Sequence, residues 1–132
     1  MNAYDGVLEA VAGLIRQFAP QEKLVIGALP PEDALCIAWG SSSYSPFLSK
    51  THAAVEMTAV FNGKHTDQQA LSGTMGRIHT ALSTRKEYPA GENYQITNIQ
   101  TVSAPALLSR EENNRILYGS SLSVKFYLKE EE

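Results

Sequence analysis

The fold class is decided by the stretch Ile116–Leu128, which reads ILYGSSLSVKFYL. Apolar side chains recur there at nearly every second position, and glycine, serine and lysine occupy most of the positions between them. A period of two residues predicts a β-strand with one buried and one polar face. The side chains predicted to face one way are Ile116, Tyr118, Leu122, Val124, Phe126 and Leu128. In extended conformation the stretch would span about 40 Å, which is long enough for one end to carry contacts between subunits.

Two amphipathic helices are predicted upstream of this strand. Apolar side chains at helical spacing predict a helix over 3–18, with Asn2 as its N-cap. The same spacing predicts a second helix over about 67–84. Its start carries Thr66 and, three residues later, Gln69, the pattern of a capping box. Two glycines inside the second helix, at 73 and 76, would let a sheet approach closely.

Apolar runs predict four further strands, over Leu24–Leu29, Ala34–Gly40, Ala53–Phe61 and Tyr94–Ser103. The alternation of the last run slips, which indicates either a bulge near Thr97-Asn98 or partial cover on both faces. The stretch Gly40–His52 has no periodicity and is predicted to be the longest loop of the chain.

The order of these elements predicts an α+β fold. It is expected to be a two-layer sandwich with an antiparallel or mixed sheet and both helices packed on one face. The length of 132 residues predicts a single domain over 1–132. The acidic end, 129–132, is expected to be frayed.

Charge and composition narrow the classes of function. The net charge is −3, and Glu130–Glu132 account for the whole acidic excess, so the body of the chain has no basic surplus to attract nucleic acid. The arginines are scattered, at positions 16, 77, 85, 110 and 115. A lone cysteine excludes an internal disulfide. No apolar run reaches the roughly 20 residues of a membrane helix, and the start lacks a basic signal region, so we expect a cytosolic chain at synthesis.

Residues that could carry chemistry each have a simpler interpretation. The histidines, at positions 52, 65 and 79, lack the spacing of metal ligands. Cys36 has apolar neighbours, which predict a buried strand residue rather than a nucleophile. The segment Gly73–Arg77 lacks the pattern of a phosphate loop, the serines at 41–43 lack the nucleophile elbow, and Glu56 has no nearby carboxylate partner. We therefore expect no catalytic site, no metal and no cofactor.

Three larger side chains stand out in the predicted loop, namely Tyr44, Phe47 and Leu48. Exposed apolar residues on a long loop often form a contact that orders on assembly. The other interpretation is that they fold back over the core as a lid. The sequence leaves both open.

A set of motifs in fixed order resembles a known family. These are Ala54–Gly63, the capped helix Thr66–Leu82, the strand start Tyr94–Ile99, and Pro105 followed by the turn Arg110–Arg115 into Ile116–Leu128. With the N-terminal helix and the Leu29-Pro30 element, the pattern covers about 3–128. It resembles the minor capsid and tail terminator proteins of long-tailed bacteriophages and prophages.

The resemblance implies a structural virion protein and no enzyme. Such proteins look like α+β protomers that form a ring, expected to be a hexamer, on the last ring of the tail tube. The ring ends tube growth and helps to join tail to head. The implied partners are copies of the chain itself, the major tail tube protein and a head–tail connector protein. The implied location is the tail–head junction of the virion, after synthesis in the host cytoplasm.

A closed ring of identical subunits needs two different contact surfaces on each subunit. A strand with mixed facing, such as Tyr94–Ser103, can supply one of them. The candidate contact residues are therefore Tyr44, Phe47, Leu48, Tyr94, Ile99 and Val102.

The alternative function is a small-ligand-binding or enzymatic α+β domain with a pocket between sheet and helices. Trp39, Tyr118 and Glu56 form an aromatic and polar set that could line such a cavity. The simpler interpretation of the same set is two core aromatics and one exposed carboxylate.

Overall fold

A computed structural model describes residues 2–48 and 53–129, and of 41–48 and 53 it describes the backbone alone. The elements in chain order are α1 (Ala3–Phe18), β1 (Leu24–Ile26), β2 (Ala34–Leu48), β3 (Ala53–His65), α2 (Gln68–Ser83), β4 (Tyr94–Arg110) and β5 (Ile116–Leu128). The strands form one sheet in the order β1-β2-β3-β5-β4. β1 runs parallel to β2, and every other pairing is antiparallel. The predicted α+β architecture is confirmed, with a mixed sheet.

Strand β5 has the bounds that its alternation predicts. Its burial alternates along nearly the whole length, and Leu122, Val124 and Phe126 are almost completely buried. β5 pairs with β3 on one side and with β4 on the other, for example through Leu122 opposite Ala59. Side chains that lie opposite each other on paired strands share a face. The buried face of the sheet is therefore continuous from strand to strand.

Both helices cover this buried face. The core cluster contains side chains from α1, from α2 and from the inward face of the four longer strands. Helix α1 begins as predicted, since the Asn2 Oδ1 atom accepts a hydrogen bond of 2.8 Å from the Asp5 backbone N–H. Neither of the two described helices is long and apolar enough to cross a membrane.

The start of α2 differs from the prediction. Asp67, and not Thr66, is the N-cap, and its Oδ1 atom accepts from the backbone N–H groups of Gln69 and Ala70 at 3.0 and 3.2 Å. A carboxylate at this position both satisfies free N–H groups and meets the positive end of the helix dipole. That combination favours aspartate over the threonine one residue earlier.

Three strands are longer than the sequence predicts. β2 continues through Leu48, so the part of the predicted loop up to that residue is a strand paired with β3, although its register shifts between Trp39 and Tyr44. β4 continues past Ser103 and Pro105 to Arg110, and β3 ends at His65. Neighbouring strands supply backbone partners along these stretches, and that pairing outweighs weak local preference. His52 lies outside the described residues.

Two local predictions have mixed outcomes. The register of β4 against β5 shifts between Ile96 and Asn98, which confirms the predicted bulge. Lys129 is not frayed, because its backbone N–H donates to the Asn93 carbonyl and its Nζ donates to the Gly91 carbonyl, both at 3.0 Å. Residues 130–132 lie outside the described residues.

The close approach between helix and sheet occurs at Gly63 of β3 and not at Gly73 or Gly76 of α2. A Cβ atom at Gly63 would lie 2.6 Å from Leu71 Cδ1 and 2.9 Å from Met75 Sδ, both on α2. A Cβ atom at Gly76 would meet nothing within 4 Å. The absence of a side chain at Gly63 thus lets α2 lie directly on the sheet.

Substitution of these two glycines should have opposite effects. We expect Gly63→Val to lower the free energy of unfolding by about 1–3 kcal/mol, because its side chain overlaps the apolar side chains of α2. Gly76→Ala should raise it by up to about 1 kcal/mol, since alanine favours the helix and has room there. Urea unfolding of both variants measures the difference. A neutral Gly63→Val variant would contradict the close packing.

Candidate functional site

The three residues of the predicted ligand pocket do not converge. Trp39 and Tyr118 point into the helix-covered face, where the Trp39 ring lies 6.2 Å from Phe126 and Tyr118 is buried. Glu56 lies on the opposite face of the sheet, 3.4 Å from Lys125 Nζ. The Tyr118 hydroxyl accepts a hydrogen bond from Gln68 Nε2 at 3.0 Å. The set is thus two core aromatics and one surface ion pair, which does not support the alternative of a binding pocket.

Cys36 is a buried strand residue, as predicted. Burial raises the pKa of its thiol above the ordinary value, which disfavours the reactive thiolate. Within the described part of the chain, no group of three His, Cys, Asp or Glu residues is placed to hold a metal ion.

A buried polar network that the sequence did not predict joins α2 to the sheet. His79 is buried, its Nε2 lies 2.8 Å from Ser120 Oγ, and its Nδ1 lies 2.9 Å from Thr101 Oγ1. Ser120 Oγ donates its proton to the Phe61 carbonyl at 2.5 Å. Ser120 can therefore only accept from His79, so the imidazole proton is on Nε2 and Nδ1 accepts from Thr101.

With its proton on Nε2, His79 cannot act as the general base of a serine nucleophile. A catalytic histidine accepts the serine proton, whereas here the serine proton is bound to a backbone carbonyl and the histidine is the donor. Burial also lowers the pKa of His79, which keeps the ring neutral. The network holds β3, β5 and β4 against α2. The signal in the sequence was only a histidine on the apolar stripe of a predicted helix.

A second unpredicted cluster fixes the turn between β4 and β5. The buried Lys64 Nζ lies 3.1 Å from Glu111 Oε2 and donates to the Pro30 carbonyl at 3.0 Å. Arg115 Nε donates to Asp33 Oδ1 at 2.8 Å. The turn is thus tied both to β3 and to the segment that leads into β2.

The exposed apolar surface of the described residues is concentrated on β4. The side chains of Val102, Leu107 and Leu108 are 59%, 56% and 61% exposed. Every residue of β4 after Ile99 is exposed except Pro105, and β4 is an outer strand of the sheet. Leu107 and Leu108 were missed because the sequence prediction ended this strand at Ser103, before the proline.

The structure separates the predicted contact residues into three groups. Val102 is exposed, whereas Ile99 is completely buried in the core and Tyr94 is half-buried and packed against the core. Their side chains thus do not form one surface. Tyr44, Phe47 and Leu48 lie on β2, opposite Met57, Ala54 and Ala53 of β3, and their side chains lie outside what the structure describes.

The lowered pKa of His79 predicts a pH dependence of stability. Below pH about 6.5 the unfolded chain binds a proton at this histidine, while the folded chain resists it. The free energy of unfolding should therefore be highest above pH 6.5 and should decrease as the pH falls toward the lower pKa of the folded state. In His79→Gln this contribution should vanish, so urea unfolding from pH 7.5 to 5 should give a shallower slope. His65→Gln is the control, and an unchanged slope in His79→Gln would contradict the prediction.

No protein-family model matches the chain, and no curated protein sequence matches it. Among solved structures, the chain is similar to one in the virion of a native gene transfer agent (GTA) particle. The two share 11% sequence identity and superpose with a TM-score of 0.67, over 96% of this chain and 99% of that one. At this identity the likeness concerns the fold. The coverage of both chains means that the likeness includes the two helices and the five-stranded sheet together.

Proposed function

We propose that this chain is a structural protein of a phage-like virion, and that it forms a ring that caps the tail tube, ends its growth and helps to join tail to head. The observation that carries the proposal is the end-to-end similarity in fold to a chain of the GTA virion. The resemblance of the sequence motifs to tail terminator proteins points in the same direction. The proposed partners are further copies of the chain, the major tail tube protein and a head–tail connector protein.

The geometry of the described residues is consistent with a protein that acts by binding other protein subunits through its surface. The histidine–serine pair is used for hydrogen bonds within the core, and the aromatic residues of the predicted pocket are core residues. The helices cover one face of the sheet, while one outer strand presents exposed leucine and valine side chains. A subunit that assembles with copies of itself needs such uncovered apolar area.

Deletion of the gene from the phage or prophage genome that carries it tests the proposal. We expect electron micrographs of induced particles to show tails without a fixed length and heads without attached tails. Expression of the intact chain from a plasmid should restore normal particles. Tails of ordinary length joined to heads in the deletion strain would overturn the proposal.

The segment with Tyr44, Phe47 and Leu48 is proposed to contact the tube or a neighbouring subunit. A variant with all three residues changed to serine should fail to restore normal tails, while its thermal midpoint should stay close to that of the unchanged chain. A matched control is a variant in which the three neighbouring serines, at positions 41–43, are changed to alanine. Normal tails with the triple serine variant would contradict this contact.

A further inference from the structure

The outer side of β4 is covered only near its start. The segment before the strand pairs with it there, through Gly91 N–H to the Tyr94 carbonyl at 2.9 Å and Ile96 N–H to the Pro89 carbonyl at 3.2 Å. From Thr97 to Arg110, no strand among the described residues pairs with this outer side. We call Thr97–Arg110 the β4 edge.

The β4 edge lacks the charges by which sheets usually prevent edge-to-edge pairing. No charged residue occurs between Thr97 and Ser109, and Val102, Leu107 and Leu108 are exposed there. Pro105 removes one N–H donor at a register break between Ser103 and Ala106, so a partner strand would pair on either side of it. The turn at the end of the edge is held by the ion pairs of Glu111 and Arg115. The edge is thus both apolar and held in place.

The opposite margin of the sheet has a second uncovered stretch. β1 pairs with β2 only through Leu35–Ile37, and β2 continues to Leu48 with β3 on its other side. No strand in the described part of the chain lies beyond β2 after Ile37. This stretch, Ala38–Leu48, which we call the β2 edge, also contains no charged residue.

The two edges match in direction. β2, β3, β5 and β4 are successive antiparallel neighbours in the sheet, so β2 and β4 run in opposite directions. When a second copy is placed beside the first in the same orientation, its β2 edge runs antiparallel to the β4 edge of the first. Antiparallel strands form the commoner and slightly more stable pairing. Repeated head to tail, such a contact closes into a ring if its rotation closes.

We propose that the β4 edge of one copy pairs with the β2 edge of a second copy and forms a sheet that continues across the subunit boundary. The proposal deepens the ring of the proposed function by naming the contact, and it rests on that function for its setting. The partner is a second copy because the same chain carries both edges in complementary directions, and Arg110, at the end of the β4 edge, is the only charged residue in either edge. Backbone hydrogen bonds supply the pairing, and the exposed side chains of β4 supply apolar burial.

Thiol cross-linking between two purified full-length variants tests the direction of this contact. Cys36→Ala removes the native thiol, and Ala106→Cys or Ser42→Cys then places one thiol on the β4 edge or on the β2 edge. With a short flexible bismaleimide, we expect the mixture to give dimers with one chain of each kind, at least roughly tenfold more than either variant alone. Equal cross-linking of Ala106→Cys with itself would overturn the proposal in favour of a symmetric contact between two β4 edges. No cross-linked dimers at millimolar protein would also overturn it.

Added charge tests the edge itself. Val102→Lys and Leu107→Lys should each weaken self-association roughly tenfold or more in sedimentation velocity, because lysine blocks edge pairing. Val60→Lys places the same charge on an exposed valine of β3, an inner strand, and should leave association unchanged. Equal effects of all three lysines, or none, would overturn the proposal. These assays use the purified chain, so they test the edge contact separately from the proposed function. Failed association with defective tails in the deletion strain would overturn the edge contact alone. Association through the edges with normal tails in the deletion strain would overturn the tail-capping function alone.

Discussion

Burial of one face of β5 beneath both helices is the interaction on which the rest of the structure depends. Leu122, Val124 and Phe126 lie between the sheet and the helices, and burial of each such side chain contributes roughly 1.5–3 kcal/mol. A slip of one residue in the register would turn these side chains to the uncovered face. The pairing of β5 with β3 and β4 is therefore fixed by the core. Because β3 and β4 pair with β5, the same pairing sets which of their side chains face the helices. The other face of the sheet and the outer strand β4 are not covered by the helices.

The buried polar groups support this arrangement. His79 lies within the apolar stripe of α2, and both of its ring nitrogens form hydrogen bonds with hydroxyl groups, one on β4 and one on β5. A buried imidazole without such partners would cost free energy, so the network fixes how α2 sits across the sheet. In the same network, the hydroxyl proton of Ser120, which a serine nucleophile would transfer to a base, is donated to the Phe61 carbonyl. The chemistry that the residue types allow is thus used for packing.

Sequence alone predicted the elements whose patterns are set locally. The helix 3–18 and the strand Ile116–Leu128 have the predicted bounds, because each carries its own periodicity and α1 its own cap. The extent of β2 and β4 could not be predicted, since Gly40–Leu48 and Ala104–Arg110 have no regular alternation and are strands because β3 and β5 pair with them. The partners of His79 are distant in sequence, so no spacing reveals them. Of the predicted contact residues, Val102 lies on exposed surface and Ile99 in the core, because the bulge after Ile96 changes which side chains of β4 face inward.

The exposed half of β4 follows from the same geometry that makes the core. β5 lies between β3 and β4 and stays buried on its inward side as far as Ile116, whereas β4 lies outside it and is exposed at almost every position after Ile99. The exposed residues of β4 after Ile99 add little to the core, and an apolar edge with so few charges carries a risk of aggregation. The turn beyond this edge is nevertheless secured by the buried Lys64 and by Arg115. The β4 edge is therefore ordered before a partner binds. Pairing with a partner strand then costs little further conformational entropy.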